Sequence, residues 1–362
     1  MTGLRIAEIM PGADGRRMGE HERTAVADRL VGTPIAVVGA TGAVGLEALA
    51  LLAEAGVGDR DIIAVASRRS VGRALEVGGC AHTVRDLDAA REAGVVLLAV
   101  PADRSRRIAP DLIEGGVLVS DSSSAYRDSA PLVIPEINAD RVAAGTRLIA
   151  SPNCTTAIAL TAAAGLIDRG GVGAIEIVSY QAVSGAGIDA MHALIAETEE
   201  AVAGRDVRAR WLAEPAAFSV FPHESAIDRR TGGSAEEHKF VNETRSILGA
   251  PGLHAAATCV RVPTLRTHTV SVRIRTERRL DAHEARAAIS TNRGVRVVDD
   301  GPTSHDAAGR CAVLVGRVRA EPDPDGRGTI IRMIAAGDQL LKGAAWNALQ
   351  NAALLIERAS VS

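Results

Sequence analysis

The chain has 362 residues, 47% apolar and 23% charged, a globular composition long enough for two cores at roughly 100 to 200 residues per domain. Its 41 Lys and Arg stand against 44 Asp and Glu, for a net charge of -3, and it carries three Phe, two Trp and two Tyr, which leaves neither a basic field nor stacking platforms for nucleic acid. The longest nearly uncharged stretch, Thr155 to Ile167, falls short of the roughly 20 apolar residues a membrane span needs.

Residues 1–31 mix Arg, Glu, Asp, His and Gly without the apolar run of a secretory signal, so they read as a partly ordered extension of a chain that stays in the cytoplasm. From Pro34 the pattern turns to strand, glycine turn and helix: Ile35 to Val38, Gly39 to Gly45, then Leu46 to Glu54. Apolar runs follow at Ile62 to Ala66, Val95 to Val100 and Val117 to Val119, spaced by helix-length segments, as in a doubly wound parallel α/β sheet. After Asn153 the strands lengthen and alternate with polar residues at Ile175 to Val183, Ala256 to Val262 and Val270 to Thr276, which predicts a second, open-faced antiparallel or mixed sheet. Gly326 and Gly328 turn the chain into a further strand, Thr329 to Ala335, and Leu340 to Arg358 reads as a long amphipathic helix.

In Gly39-Ala40-Thr41-Gly42-Ala43-Val44-Gly45, glycine recurs every third residue between strand and helix, a spacing that lets backbone N–H groups approach a pyrophosphate; a plain tight turn is the other reading. After the second strand, where an acidic residue would select NAD, stand Ser67, Arg68 and Arg69. Arginine there favours the 2′-phosphate of NADP, unless the pair only solvates a loop.

Ser151-Pro152-Asn153-Cys154-Thr155-Thr156 leads into an apolar helix, so Cys154 sits at a helix start where thiolate and oxyanion are stabilised. A free cysteine can equally be a buried filler. Cys80, Cys259 and Cys311 lack such a setting and no CxxC spacing occurs, which argues against a disulfide framework and a metal site. His268 follows Arg261 across a turn centred on Pro263 and is the candidate proton carrier, against the reading of a strand-end histidine. Glu236 and Lys239, three apart on a predicted helix, share a face and by themselves read as a solvated pair.

Together these segments resemble the aspartate-β-semialdehyde dehydrogenase family from about Pro34 to Glu357. The likeness rests on GATGAVG at Gly39, PLVIPEIN at Pro131, SPNCTT at Ser151, YQAVSGAG at Tyr180, EEHK at Glu236, ATCVRVP at Ala257 and LLKGAAWNALQ at Leu340. The resemblance implies a Rossmann-like NADP-binding domain over 32–153, completed by a C-terminal helix over 340–362, and an α+β catalytic and dimerisation domain over 154–339. It implies Cys154 as nucleophile, His268 as acid/base, and Gln181 as orienting the acyl group. Arg261 would hold the substrate α-carboxylate, Glu236 would face the substrate, Lys239 and Arg127 would hold phosphate, and Asn153 would contact phosphate or oxyanion. Ser184, Gly185 and Gly187 would line the nicotinamide loop, and Gln339 would meet the cofactor. The implied activity is NADPH-dependent conversion of L-4-aspartyl phosphate to the semialdehyde with release of phosphate, in a homodimer or a dimer of dimers.

The chain departs from the family pattern at Val100-Pro101-Ala102-Asp103-Arg104, where small Ser/Gly residues are usual, at Ser122 and Ser219 in place of asparagine, and at Val270 in place of glutamate. Two other readings stay open: a related acyl-phosphate reductase of the N-acetyl-γ-glutamyl-phosphate type, in which Tyr-Pro rather than Thr155-Thr156 follows the cysteine, and a non-catalytic NADP-binding homologue.

Overall fold

The computed structural model describes residues 17–360, and the chain divides into two compact units. One comprises Arg17–Asn153 together with the chain from Gly343 onward. Its parallel sheet is built from β1 (Ile35–Val38), β2 (Ile62–Val65), β5 (Val95–Leu98), β6 (Leu118–Asp121) and β7 (Leu148–Ala150), in the order β2-β1-β5-β6-β7. All four residues of β1, β2, β5 and β6 are buried, as expected for strands covered on both faces. A small antiparallel hairpin, β3 (Ala74–Val77) and β4 (Cys80–Thr83), stands apart from this sheet. β1 coincides with its apolar run, β2 and β5 end one and two residues before theirs, β6 is shifted by one residue and extends to Asp121, and β7 and the hairpin had no sequence counterpart.

Within the stretch read as an extension, Glu20–Leu30 is a helix packed on the final helix, Trp346–Ala359, with Met18, Val26 and Leu30 buried. Residues 1–16 lie outside the described residues. The single long helix read over Leu340 to Arg358 is in fact a π-helical turn, Leu341–Ala345, followed by that α-helix.

The second unit, Cys154–Lys342, holds a seven-stranded mixed sheet. Its strands are β8 (Ala174–Gln181), β9 (Phe221–Pro222), β10 (His254–Arg261), β11 (His268–Thr276), β12 (Val295–Val297), β13 (Val313–Pro322) and β14 (Thr329–Gly337), in the order β12-β13-β14-β11-β8-β10-β9. The helices Cys154–Gly170 and Ala282–Ser290 pack together on this unit, the first carrying an almost continuous buried surface from Thr155 to Leu166. Along β11 burial alternates residue by residue, the signature of a sheet with one face covered and one half exposed.

Among the described residues no helix is long and apolar enough to cross a membrane, and no group of three His, Cys, Asp or Glu side chains is placed to hold a metal ion.

Candidate active site

The glycine turn leaves β1 at the end where strand order reverses, since β2 lies on one side of β1 and β5 on the other, the position at which parallel α/β sheets receive ligands. Gly39 has φ +96°, and a Cβ there would lie 2.2 Å from the carbonyl oxygen of Ala99; a Cβ on Gly45 would lie 2.1 Å from that of Gly39. Both must be glycine for strand and helix to pack. At Gly42 a Cβ would meet only the Gly39 oxygen, at 3.4 Å, so the requirement there is not packing.

Gly42 is also the N-cap of the helix Ala43–Glu54 and supplies no side-chain cap, which leaves the first N–H groups, on Ala43, Val44 and Gly45, available to an anion. Thr41 completes the turn. The amides of Gly39 and Ala40 donate to the carbonyl of Val65, at 2.9 and 3.0 Å, tying this turn to the end of β2. Two residues beyond Val65, exposed Ser67, Arg68 and Arg69 enter a short 3-10 turn, and neither arginine has an ion-pair partner among the described residues. A cradle closed by glycines and a helix start without a side-chain cap fit a dinucleotide pyrophosphate.

The same unit holds Arg127 and Asn153. Arg127 Nε donates to the carbonyls of Ser123 and Ser151, at 3.2 and 3.0 Å, and Asn153 is buried as the unit's last residue before the break at position 154. Nearby, Asp121 is fully buried: burial raises its carboxyl, against the hydrogen bonds it accepts from Ser123 and Ser105. Ser105 lies on the helix Ala102–Glu114, which begins directly after Pro101, so the altered loop is cut to a minimum.

In the second unit, β8 and β10 end together, with Gln181 opposite Arg261, and β11 begins beside them at His268. Residues from three different strands are thereby brought to one sheet end. The helix Cys154–Gly170 starts at Cys154, whose Sγ lies 3.4 Å from His268 Nε2. The backbone of one residue, Ala182, fixes two of these groups: its amide donates to His268 Nδ1 at 3.1 Å, and its carbonyl accepts from Arg261 Nη1 at 2.7 Å. Arg261, 1% exposed, further donates from Nε and Nη2 to the Glu224 carboxylate, at 3.2 and 2.5 Å, and its Nη2 lies 3.1 Å from His223 Nε2. A Cβ on Gly185 would stand 3.6 Å from both Arg261 Nη1 and His268 Nε2, so this glycine forms the wall beside them.

The remaining candidates join the same network. Gln181 donates to Ser179 Oγ (3.2 Å) and to Glu236 Oε1 (3.4 Å), while Glu236 Oε2 receives Lys239 Nζ at 3.1 Å. Glu236 is buried on the helix Ala235–Leu248, which a Ser234/Glu237 capping box starts, so the Glu236–Lys239 pair is more than a solvated face. Gln339 lies inside the fold: its Oε1 accepts from the amide of Thr267 at 2.7 Å and its Nε2 donates to Ser184 Oγ. Thr267 has φ +77°, a conformation costly for a β-branched residue, and this bond holds it one residue before His268. Asp338 braces the same corner through Arg266 Nε at 2.5 Å and the amides of Gly309 and Leu340, at 2.7 and 3.0 Å. Gly187, φ +99°, opens the helix Ile188–Val202.

His268 is fully buried, and burial first, then the charge of Arg261, lower its pKa to about 3 despite Glu236. Burial likewise lowers His223. All four cysteines are free, and burial pushes the Cys259 thiol up to about 11, consistent with an inert filler. Among the departures, Val270 is fully buried on β11 and Ser219 lies in the irregular segment before β9. His223, Glu224, Ala182 and Asp338 escaped the sequence reading, because their roles rest on backbone groups or on a loop without periodicity.

Comparison with known proteins decides the family. The "Semialdehyde dehydrogenase, NAD binding domain" family matches residues 34–145, and "Semialdehyde dehydrogenase, dimerisation domain" matches 164–342. The aspartate-semialdehyde dehydrogenase of Synechocystis sp. is 37% identical over 90% of this chain and 97% of its own, and that of Corynebacterium glutamicum is 35% identical over 90% and 100%. Aspartate semialdehyde dehydrogenase II from Vibrio cholerae, one of whose structures is complexed with ASA, superposes with TM-score 0.83 at 32% identity, covering 90% of this chain and 98% of its own.

The chain belongs to the aspartate-semialdehyde dehydrogenase family.

Like other aspartate-semialdehyde dehydrogenases it is an oxidoreductase, with a Rossmann-like domain for a nicotinamide cofactor and a dimerisation domain.

Proposed function

We propose that this enzyme reduces L-4-aspartyl phosphate to L-aspartate 4-semialdehyde with NADPH, releasing phosphate, through a thioacyl link to Cys154. The observation that carries the reading is the 3.4 Å approach of Cys154 Sγ to His268 Nε2 at the start of a helix. A helix N-terminus and a ring N–H donor both favour negative charge on the sulfur.

Sulfur attacks the acyl carbon, the S–C bond forms, and the bond from that carbon to the phosphate oxygen breaks, so phosphate leaves with the electron pair. When bound, the reduced nicotinamide supplies the hydride that brings the acyl carbon to the aldehyde level. The resulting alkoxide collapses by expelling Cys154 as thiolate, back beneath the His268 ring. Because Ala182 donates to Nδ1, the neutral ring carries its proton on Nε2, toward the sulfur. The sequence cast His268 as acid and base; this tautomer supports a hydrogen-bond donor to sulfur and oxyanion, and the collapse needs no proton from it.

The other roles follow from chemistry. Arg261 suits the substrate α-carboxylate, Glu236 and Gln181 the substrate's polar atoms, and Lys239 with Arg127 and Asn153 the phosphate. Gly39 to Gly45 would hold the pyrophosphate, Arg68 and Arg69 with Ser67 the 2′-phosphate of NADP, and Ser184, Gly185 and Gly187 the nicotinamide loop. The half-exposed sheet face, where Tyr180 is 40% exposed in the middle of the sheet, supports a homodimer joined there.

Replacing Cys154 by Ala should abolish phosphate-dependent reduction of NADP by aspartate semialdehyde, read as absorbance of the reduced nicotinamide. Near-normal turnover would overturn the reading. Preference for the N-acetylglutamate analogue would move the enzyme to the glutamyl class instead.

A further inference from the structure

We propose that Glu224 sets the carboxylate selectivity of this site, by occupying the fork of Arg261 that a substrate carboxylate has to enter. The inference rests on the reading of Arg261 as the substrate clamp and adds a competitor to it.

A guanidinium has five N–H donors. In Arg261, Nε and one Nη2 donor go to the two oxygens of Glu224, one Nη1 donor goes to Ala182, and the second side of Nη2 is covered by His223, whose Nε2 lies 3.1 Å away. Among the described residues a single N–H, on Nη1, is left, whereas strong recognition of a carboxylate by arginine uses two parallel bonds. A substrate carboxylate therefore gains a full fork only by displacing Glu224.

Of the two partners, Glu224 is the one able to yield. The Arg261 side chain is 2% exposed and anchored in β10; that of Glu224 is 21% exposed, on the irregular segment that follows the two-residue edge strand β9. A buried guanidinium without a counter-ion would be costly, and Glu224 supplies that counter-ion from within the chain. Burial would raise the Glu224 carboxyl, but the hydrogen bonds and charge of Arg261 outweigh it and keep it below the usual range, so it is ionised at neutral pH. Substrate binding thus exchanges one carboxylate for another. The net gain is smaller than an unoccupied fork would give, and a substrate lacking the α-carboxylate forgoes little.

The test compares wild type, Glu224→Gln and Glu224→Asp with phosphate and NADP, using aspartate semialdehyde and 3-aminopropanal, which is the same aldehyde and amine without the carboxylate. Glu224→Gln should lower KM for aspartate semialdehyde about tenfold while that for 3-aminopropanal moves by less than about twofold. Glu224→Asp, too short to span both N–H groups, should fall between. An unchanged KM for aspartate semialdehyde overturns the proposal, and so does a rise, which would mean that Glu224 binds substrate instead of competing with it. If wild type turns over neither aldehyde, the reading of the reaction has failed, and Glu224 is judged by thermal melting with L-aspartate. Stronger stabilisation of Glu224→Gln than of wild type supports the competition; equal stabilisation overturns it.

Discussion

The amide of Ala182 donates to Nδ1 of His268 at 3.1 Å, while Nε2 of the same ring faces Cys154 Sγ at 3.4 Å. An N–H pointing at Nδ1 tolerates only its lone pair, so the ring is held neutral with its proton on the sulfur side. In 15N spectra of enzyme labelled at histidine, His268 should show the Nε2–H tautomer alone from about pH 5 to 8, the range in which an ordinary histidine titrates. A protonated ring at the acid end of that range would contradict the geometry.

The same burial links His268 to stability. Its pKa is lowered to about 3 in the fold, against about 6.5 in an unfolded chain. Between those values the unfolded state holds a proton that the native state does not, so stability falls as pH drops from 6.5 toward 3, by about 1.4 kcal/mol per unit. His268→Asn, which cannot titrate, should lose this component. Urea titrations of both proteins at several pH values across this window check it, and parallel slopes would contradict the assignment.

The glycine turn separates packing from ligand binding. Gly39→Ala, with φ +96° and a Cβ 2.2 Å from a backbone oxygen, should destabilise the fold by about 2–4 kcal/mol. Gly42→Ala has room, so its melting temperature should stay near wild type while dinucleotide affinity falls about tenfold. Thermal melting and fluorescence titration with NADPH distinguish the two.

Arg68 and Arg69 should decide between the dinucleotides. Replacing either by Ala is expected to raise KM for NADP by about tenfold or more, the worth of a charge-assisted hydrogen bond to phosphate, and to leave KM for NAD nearly unchanged. Equal effects on both cofactors would reduce the arginines to loop solvation.

Gln339 should act through Thr267. Gln339→Ala leaves the Thr267 amide without its acceptor in a buried corner, which should cost about 1–3 kcal/mol of stability. With Thr267 free to leave φ +77°, His268 loses its aim, so kcat should fall while KM for NADP holds. A rise in that KM with kcat preserved would instead make Gln339 a cofactor contact.

Much of this architecture could be read from the chain because burial imprints continuous apolar runs on parallel strands and alternation on half-covered ones, as in β1, β5 and β11. β13 was missed because its run breaks at a register shift between Gly316 and Arg319. The β3–β4 hairpin buries only Leu75, Val77 and His82, though its Gly78-Gly79 turn, both at positive φ, was a usable signal. The first helix carries no apolar periodicity that a sequence reading could use: its stretch EHERTAVADRL is mostly polar, with Val26 and Leu30 buried one turn apart. At the site, Cys154, Gln181, Arg261 and His268 declare themselves by residue type and motif. Ala182 acts only through its backbone, which no side-chain pattern reveals, and Glu224 lies where neither helical nor strand periodicity says which way a carboxylate points.

For anyone wishing to retarget this enzyme, the corner formed by Arg266, Thr267, Asp338 and Gln339 works as a jig: it sets the bearing of the imidazole through the backbone of the residue before it. Those positions are best transplanted or left alone together.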